Sequence, residues 1–148
     1  MKIDETNLEI IKHLKDGRKS FKEIADDLSI TENTVRARVN KMTEEGLLEI
    51  TGLIDPHEIS GHQLIIVGVK LKTMDLVIKG KEISALRGVV SVNVVTGQYD
   101  LIVTVLLKEG FGLLEFYTGE MSKVSDVQSV ETFVVYKSYN MKVPYILD

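Results

Sequence analysis

Hydrophobic residues in the first part of the chain recur at the three- and four-residue spacing of amphipathic helices. Three groups follow this spacing: Ile10, Ile11 and Leu14; Ile24 and Leu28; Val35, Val39 and Met42. The pattern predicts three helices within residues 1–50. A connector follows over residues 51–62, where Pro56 acts as a breaker.

After residue 62 the pattern changes to apolar runs that are typical of β-strands. The runs are LIIVGVKL (64–71), VVSVNVVTG (89–97), YDLIVTVLL (99–107) and VQSVETFVVYKS (127–138). EISALRGVVSV (82–92) matches EMSKVSDVQSV (120–130) at a shift of 38 residues, so each copy is read as strand, helix, strand. Two such units form a split βαβ arrangement, in which a four-stranded antiparallel sheet carries two helices on one face. We therefore predict an α+β chain whose second domain spans residues 63–148.

The other face of this sheet is expected to be apolar as well, because the strand runs barely alternate between apolar and polar residues. No remaining segment is large enough to cover it. A second copy of the chain is the simplest cover, and we expect a homodimer.

Side chains that favour helix starts precede all three predicted helices: Asp4, Ser20 and Thr31. Ser20 and Glu23 have the spacing of a capping box, and the first helix is expected to end near Asp16-Gly17. The turn before the third helix carries Ser29 where glycine is common, at a cost if its φ is positive. Two short helices, a tight turn and a longer helix make up the helix-turn-helix plan.

The third helix buries a narrow stripe and exposes a polar face that suits DNA. Asn33, Ala37 and Asn40 lie roughly 140° to 200° around the helix from Val35. Asn can read adenine, Arg can read guanine, and Ala permits close approach to a thymine methyl. Thr34 and Arg38 lie nearer the apolar margin and suit phosphate contacts or an ion pair. The candidate DNA-binding residues are Thr31, Asn33, Thr34, Arg36, Ala37, Arg38, Asn40 and Lys41. A three-helix bundle with an ordinary solvated face is the alternative.

Charge limits the size of any DNA footprint. The 148 residues carry a formal net charge of −4, with nine Lys/Arg and eleven Asp/Glu in residues 1–50 and the same numbers in 51–148. Only a local excess of basic residues, Arg36, Arg38 and Lys41 against Glu32, marks the third helix. Small footprints of this kind favour oligomers that combine several of them.

Composition narrows the other classes of function. The chain has no cysteine, which removes disulfides and thiolate metal sites, and no apolar run reaches the ~18 residues of a membrane span. The N-terminus lacks the apolar stretch of a signal peptide, so we expect a cytoplasmic protein with no membrane partner. His57-Glu58-Ile59-Ser60-Gly61-His62 approaches the zinc-protease signature, but its second His falls at i+5 instead of i+4. We expect no metal site and no cofactor.

With both halves considered, the chain resembles the Lrp/AsnC, or feast/famine, family of transcription regulators. The resemblance runs through IDETNLEIIKHLKDGR (3–18), FKEIADDLSITENTVRARVNKMTEEGLL (21–48), VTGQYDLIVTV (95–105) and VQSVETFVV (127–135). Its most specific pieces are Arg38-Val39 followed by Glu44-Glu45-Gly46, and the turn Thr96-Gly97-x-Tyr99-Asp100.

This resemblance implies a winged-helix-like helix-turn-helix domain and a ferredoxin-like βαββαβ domain that senses a ligand. Such regulators bind double-stranded DNA, dimerise through their sheets and often form octamers. In that family a small effector, usually an amino acid, binds where dimers meet. The residues that the resemblance places at this site are Gly97, Gln98, Tyr99 and Asp100, opposite Gln128, Ser129 and Thr132. A plain hairpin turn, with structural hydrogen bonds at Tyr99 and Asp100, is the alternative reading.

Two other functions fit the same architecture. Sirohaem decarboxylases resemble it, but they carry a His-Asn-Tyr-x-Arg-like stretch where this chain has Thr96-Gly97-Gln98-Tyr99-Asp100. An effector-independent DNA-compacting protein is the other possibility. The sequence favours a regulator that is not an enzyme.

Overall fold

The computed structural model describes residues 2–148, which divide into two compact units. The first unit extends to Thr51 and the second covers Gly52–Asp148. Each unit has its own cluster of buried hydrophobic side chains.

The first unit contains three helices: α1 (Glu5–His13), α2 (Phe21–Leu28) and α3 (Glu32–Glu44). Their inward faces form one core of Ile10, Ile24, Ala25, Val35, Val39 and Met42. Val35, Val39 and Met42 make up the whole buried stripe of α3, as its periodicity predicts. The described residues of this unit form helices and turns without a strand, so the helical part of a winged-helix plan is present without a hairpin wing.

The predicted helix starts are confirmed by their hydrogen bonds. Asp4 Oδ1 accepts from the Asn7 N–H at 2.8 Å, and Thr31 Oγ1 accepts from the Thr34 N–H at 3.2 Å. Ser20 and Glu23 form a complete capping box, with bonds of 3.1 and 2.7 Å. These side chains satisfy N–H groups that have no partner inside the helix.

The end of α1 differs from the prediction. The helix ends at His13 instead of near Asp16-Gly17. Beyond it the Lys15 and Asp16 N–H groups reach back only three residues, to the carbonyls of Lys12 and His13. The last turn has therefore tightened into a non-helical turn, as helix ends often do.

The second unit is built on a four-stranded antiparallel sheet. Its strands are β2 (Gln63–Leu71), β3 (Val89–Val94), β4 (Leu101–Leu107) and β5 (Val127–Val134), in the order β3-β4-β2-β5. The two βαβ units begin with β2 and β4, and these two strands lie side by side in the centre of the sheet. This is the ferredoxin-like arrangement that the internal repeat predicts.

The two crossovers of the sheet are unlike each other. The first is the regular helix α4 (Leu76–Ser84), whereas residues 113–123 form a short α-turn, a π-turn and a 3₁₀-turn in succession. In this second crossover Thr118 Oγ1 donates to the Leu114 carbonyl and Ser122 Oγ donates to the Thr118 carbonyl, at 2.7 and 2.6 Å. Such side-chain bonds to preceding carbonyls bend helices. The prediction of a helical crossover in each copy is therefore confirmed, but the second crossover is irregular.

The segment predicted as a linker, residues 51–62, belongs to the second unit from Gly52 onwards. Its strand β1 (Leu53–Ile54) pairs antiparallel with β6 (Val143–Pro144). A 3₁₀-turn at Pro56–Glu58 follows, and His57 Nε2 donates to the Val135 carbonyl at 2.8 Å. These bonds anchor the segment to the last part of the chain.

The sheet has one face under the crossovers and one open face. A Cβ on Gly80 of α4 would lie 3.6–3.8 Å from Val92, Val94 and Leu101, which places these strand residues under the helix. Alternation along the strands then puts the other set of residues on the open face. This set includes Ile66, Ile102, Thr104 and Phe133, together with the polar residues Lys70 and Glu131. The open face is therefore apolar in its centre, with polar residues beside it.

Candidate DNA-recognition face and ligand loop

The outer face of α3 is exposed. Asn33, Ala37 and Asn40 are all exposed, one helical turn apart, while the opposite stripe is fully packed. Among residues 2–148 neither asparagine side chain has a hydrogen-bond partner. Two free amide groups beside a small Ala therefore leave this face open to the edges of bases.

Arg36 is held on the side of this face by neighbours of its own unit. Its Nη2 donates to Glu32 Oε1 at 2.8 Å, and its guanidinium lies 5.3 Å from the centre of the Phe21 ring. The pair is exposed on both sides, so it is worth little and can be exchanged for another anion.

Arg38 has a different environment because it reaches back to α1. Its Nη1 donates to both carboxylate oxygens of Asp4, at 2.8 and 2.7 Å, and to Asn7 Oδ1 at 2.9 Å. The hydrogen bond from Arg38 is the main reason that the pKa of Asp4 lies below its ordinary value, and the Asn7 N–H adds to it. Of the two roles predicted for Arg38, a phosphate contact and an ion pair, the structure therefore shows the ion pair.

A cleft of about 580 Å³ lies where the start of α1 meets the outer face of α3. Five of the eight candidate DNA-binding residues line it, and its other walls come from the N-terminal segment. The lining residues are Lys2, Asp4, Asn7, Asn33, Thr34, Ala37, Arg38 and Lys41. Three cations against one carboxylate make the cleft positive within a domain whose net charge is negative.

The predicted ligand loop connects β3 to β4. Gly97 and Gln98 are exposed at its tip, and Gly97 has a φ of 130°, where a side chain would be strained. Nothing lies within 4 Å of a Cβ placed on Gly97, so the backbone there is open to approach.

Tyr99 and Asp100 have structural contacts in this unit. The Tyr99 ring packs directly on Gly68 of the open sheet face, and it meets the Phe133 ring edge-on with 6.4 Å between centres. Asp100 Oδ2 accepts from the Leu71 N–H at 2.8 Å. These contacts fix the loop to β2, and a ligand role for either residue stays a prediction.

The residues predicted for the opposing wall are divided between the two faces of the sheet. Ser129 pairs with Lys70, and Gln128 stands at the adjacent bulge, so both lie at the sheet end that carries the loop. Both are exposed. Thr132 instead bonds through its hydroxyl to the Tyr117 hydroxyl of the second crossover. Thr132 therefore points to the covered face, away from Ser129 on the open face.

Two family profiles together match nearly the whole chain. Residues 3–49 match a profile described as winged helix-turn-helix DNA-binding. Residues 57–144 match the profile of the Lrp/AsnC ligand binding domain. The chain belongs to the Lrp/AsnC family. It is thus a DNA-binding transcriptional regulator with a ligand-binding domain.

Relatives of similar length support this membership. An uncharacterized HTH-type transcriptional regulator of Pyrococcus abyssi is 32% identical over 90% of this chain and 91% of its own. The HTH-type regulator Ptr1 of Methanocaldococcus jannaschii is 29% identical over 93% of this chain and 94% of its own. Both of these relatives of the Lrp/AsnC protein are named as transcriptional regulators.

Solved structures show the same fold. AsnC of Escherichia coli superposes with a TM-score of 0.71 at 22% identity, over 95% of this chain and 97% of that one. A transcriptional regulator of Neisseria meningitidis, solved as a complex with L-Met, has a TM-score of 0.70 at 17% identity. That comparison covers 99% of this chain and 97% of the other.

No group of three or more His, Cys, Asp or Glu side chains with metal-binding geometry occurs among residues 2–148. No helix in this part of the chain has the length and apolarity to cross a bilayer.

Asp4 and Asn7 are the residues of this Lrp/AsnC protein that sequence reasoning did not connect to the recognition helix. The sequence alone predicts only a capping role for Asp4. The available signal is the position of Arg38 at the apolar margin of α3, from which a long side chain can reach a neighbouring helix. A carboxylate at a helix start is a natural partner for such an arginine.

Proposed function

We propose that this regulator inserts α3 into the major groove of operator DNA and adjusts its DNA affinity or assembly state when an amino acid binds near residues 96–100. The observation that carries the DNA part is the open face of Asn33, Ala37 and Asn40, with no intramolecular hydrogen bond to compete with bases. The protein would carry out this function in the cytoplasm, where it would reach operator DNA.

The residues of the recognition face divide by their surroundings. Asn33, Asn40 and Arg36 would read base edges, with Ala37 against a thymine methyl, because these side chains are exposed on the face opposite the core. Thr31, Thr34, Arg38 and Lys41 lie at the helix start or beside the cleft and would contact phosphates. Phosphate contacts fix the position of the helix, and base contacts select the sequence.

A homodimer, or an octamer of four dimers, would present several such helices to one DNA. The support is the apolar centre of the open sheet face, with Phe133 43% exposed. A second sheet would remove this face from water. Combining recognition helices offsets the small charge of each footprint.

The proposed effector site combines the exposed tip of the ligand loop with the start of β5. The Neisseria meningitidis relative, whose structure contains L-Met, supports an amino acid as the class of ligand. Gly97 leaves backbone open to a carboxylate, and Gln98, Gln128 and Ser129 are exposed polar groups at the same end of the sheet. Asp100 would offer its second oxygen to an α-ammonium group, while Oδ2 holds the Leu71 N–H.

The DNA assignment is tested by selecting an operator from random duplexes and measuring its affinity by fluorescence anisotropy without amino acids. Asn40→Ala should weaken operator binding more than binding of random DNA, because a lost bidentate base contact costs about 1–3 kcal/mol. Asn140→Gly removes a comparable exposed amide from the other unit, at a position whose φ of 59° suits glycine, and should leave affinity unchanged. Equal operator affinity for Asn40→Ala and the unmodified protein would contradict the insertion of α3 into the major groove.

The effector assignment is tested by light scattering after size exclusion, with and without each of a panel of amino acids. We expect one amino acid to change the particle mass or the operator affinity. A ligand acts in this way only if it binds one state better than the other. Asp100→Asn keeps an acceptor for Leu71 but loses the charge, so the response should weaken while the fold remains. A full response in this variant would exclude pairing of Asp100 with the α-ammonium.

A further inference from the structure

Arg38 is joined to α1 by one edge of its guanidinium only. All three of its hydrogen bonds run through Nη1, to Asp4 and Asn7, which leaves Nε and Nη2 without a partner among residues 2–148. The side chain is one third exposed and lines the positive cleft. A guanidinium held in this way still has two donor nitrogens, which carry three N–H groups in fixed directions.

The anchor of Arg38 is held by contacts within α1. Asn7 is buried, and its N–H binds the same carboxylate that receives Arg38. Asp4 therefore has two tasks, capping α1 and fixing Arg38. Lys2 and Lys41 line the same cleft from the N-terminal segment and from α3.

We infer that this cleft is a seat for one DNA backbone phosphate, and that Asp4 and Asn7 are positioning residues that aim Nε and Nη2 of Arg38 at it. Lys2 and Lys41 supply further positive charge around the seat. A planar guanidinium suits two phosphate oxygens at once. The inference rests on the proposed function, because it requires α3 to approach DNA.

The direction in which one substitution changes DNA affinity distinguishes a positioning role of Asp4 from a purely electrostatic effect. Removing a carboxylate near DNA reduces repulsion and should tighten binding if charge alone matters. If Asp4 instead holds Arg38 in place, its removal frees a flexible side chain, and binding should weaken because ordering such a side chain has an entropic cost. Asp4→Asn is the suitable change, because Asn caps a helix about as well as Asp.

The probe is a fluorescent duplex of random sequence, since a phosphate seat is independent of sequence, titrated from about 50 to about 200 mM salt. We expect Asp4→Asn to weaken binding about threefold to tenfold. Glu5→Gln, the charge control, should leave it unchanged or tighter, because Glu5 is on the same turn but makes no bond to Arg38 among the described residues. Arg38→Gln should lower the slope of log affinity against log salt by about one per protomer.

Two further variants complete the design. In an Arg38→Gln background, Asp4→Asn should have no additional weakening effect, since its action passes through Arg38. Arg38→Lys keeps the positive charge but loses the pair of guanidinium donors, so it should lose DNA affinity by about threefold to tenfold as well. This variant tests the proposal independently if Asp4→Asn folds poorly. Thermal unfolding followed by circular dichroism verifies the fold of each.

The outcomes are distinct. If the unmodified protein does not bind the duplex, the proposed function fails together with this inference. If it binds, but Asp4→Asn binds equally or more tightly and Arg38→Lys matches the unmodified protein, the positioning role is overturned and the proposed function stands.

Discussion

Gly68 is expected to be a position where adding a single methyl group destabilises the protein. It lies in β2 on the open face, and a Cβ there would stand 2.8 Å from three carbons of the Tyr99 ring. Its φ is not positive, so glycine is needed for space and not for backbone conformation. Ala is normally better than Gly inside a strand by about 0.5–1 kcal/mol. Overpacking typically costs 1–3 kcal/mol, so Gly68→Ala should lower the free energy of unfolding by about 1–2 kcal/mol.

The assay is urea unfolding at one protomer concentration, because assembly makes the midpoint depend on concentration. Gly80→Ala is the control: its Cβ would meet its nearest neighbour at 3.6 Å, an ordinary contact, and Ala is favoured in a helix. This control should be stabilised by about 0.5–1 kcal/mol.

A double-mutant cycle identifies the partner in the clash. In a Tyr99→Ala background the ring is gone, so Gly68→Ala should stabilise by about 0.5–1 kcal/mol, the opposite sign. If Gly68→Ala stabilises the protein in both backgrounds, or destabilises it equally in both, then Tyr99 does not occupy the space above Gly68 and the reasoning is wrong.

Two further predictions concern the turn before α3 and the His57 contacts. Ser29 has a φ of 55° at the end of α2, a conformation that is strained for a residue with a side chain. Ser29→Gly should therefore raise the free energy of unfolding by up to about 1 kcal/mol in the same urea assay. A lower free energy of unfolding in this variant would contradict the strain. His57 donates to the Val135 carbonyl and to Asp55, at 2.8 and 3.0 Å, and these bonds raise its pKa above 6.5. Its contribution to stability is therefore complete below pH 6.5 and disappears as pH rises through the higher pKa of the folded state. The urea midpoint should fall over that range, and His57→Gln should flatten the fall; an unchanged profile in the variant would exclude His57 as its source.

Local signals in the sequence predicted much of the first unit. The Ser20–Glu23 capping box, the Thr31 cap and the buried stripe of α3 depend on residues three or four apart, and all three are confirmed. The strained Ser29 was also anticipated from the absence of glycine at the turn. Such features can be predicted because their partners are neighbours in sequence.

Features that join distant segments could not be predicted in this way. The bond from Arg38 to Asp4 spans 34 residues, and the contact of Tyr99 with Gly68 depends on strand register. The irregular second crossover reflects a competition between the Thr118 and Ser122 hydroxyls and the helix ladder. The repeat shows the place of this crossover in the topology, but not the outcome of that competition.

The pairing of β1 with β6 has a consequence for how such a protein can be reassembled. Because its first and last strands are hydrogen-bonded neighbours, the second unit begins and ends at one point on its surface. Units whose ends lie close together tolerate insertion into, or fusion with, other proteins. We therefore expect that the ligand-binding unit can be joined to an unrelated output domain without breaking a strand of its sheet.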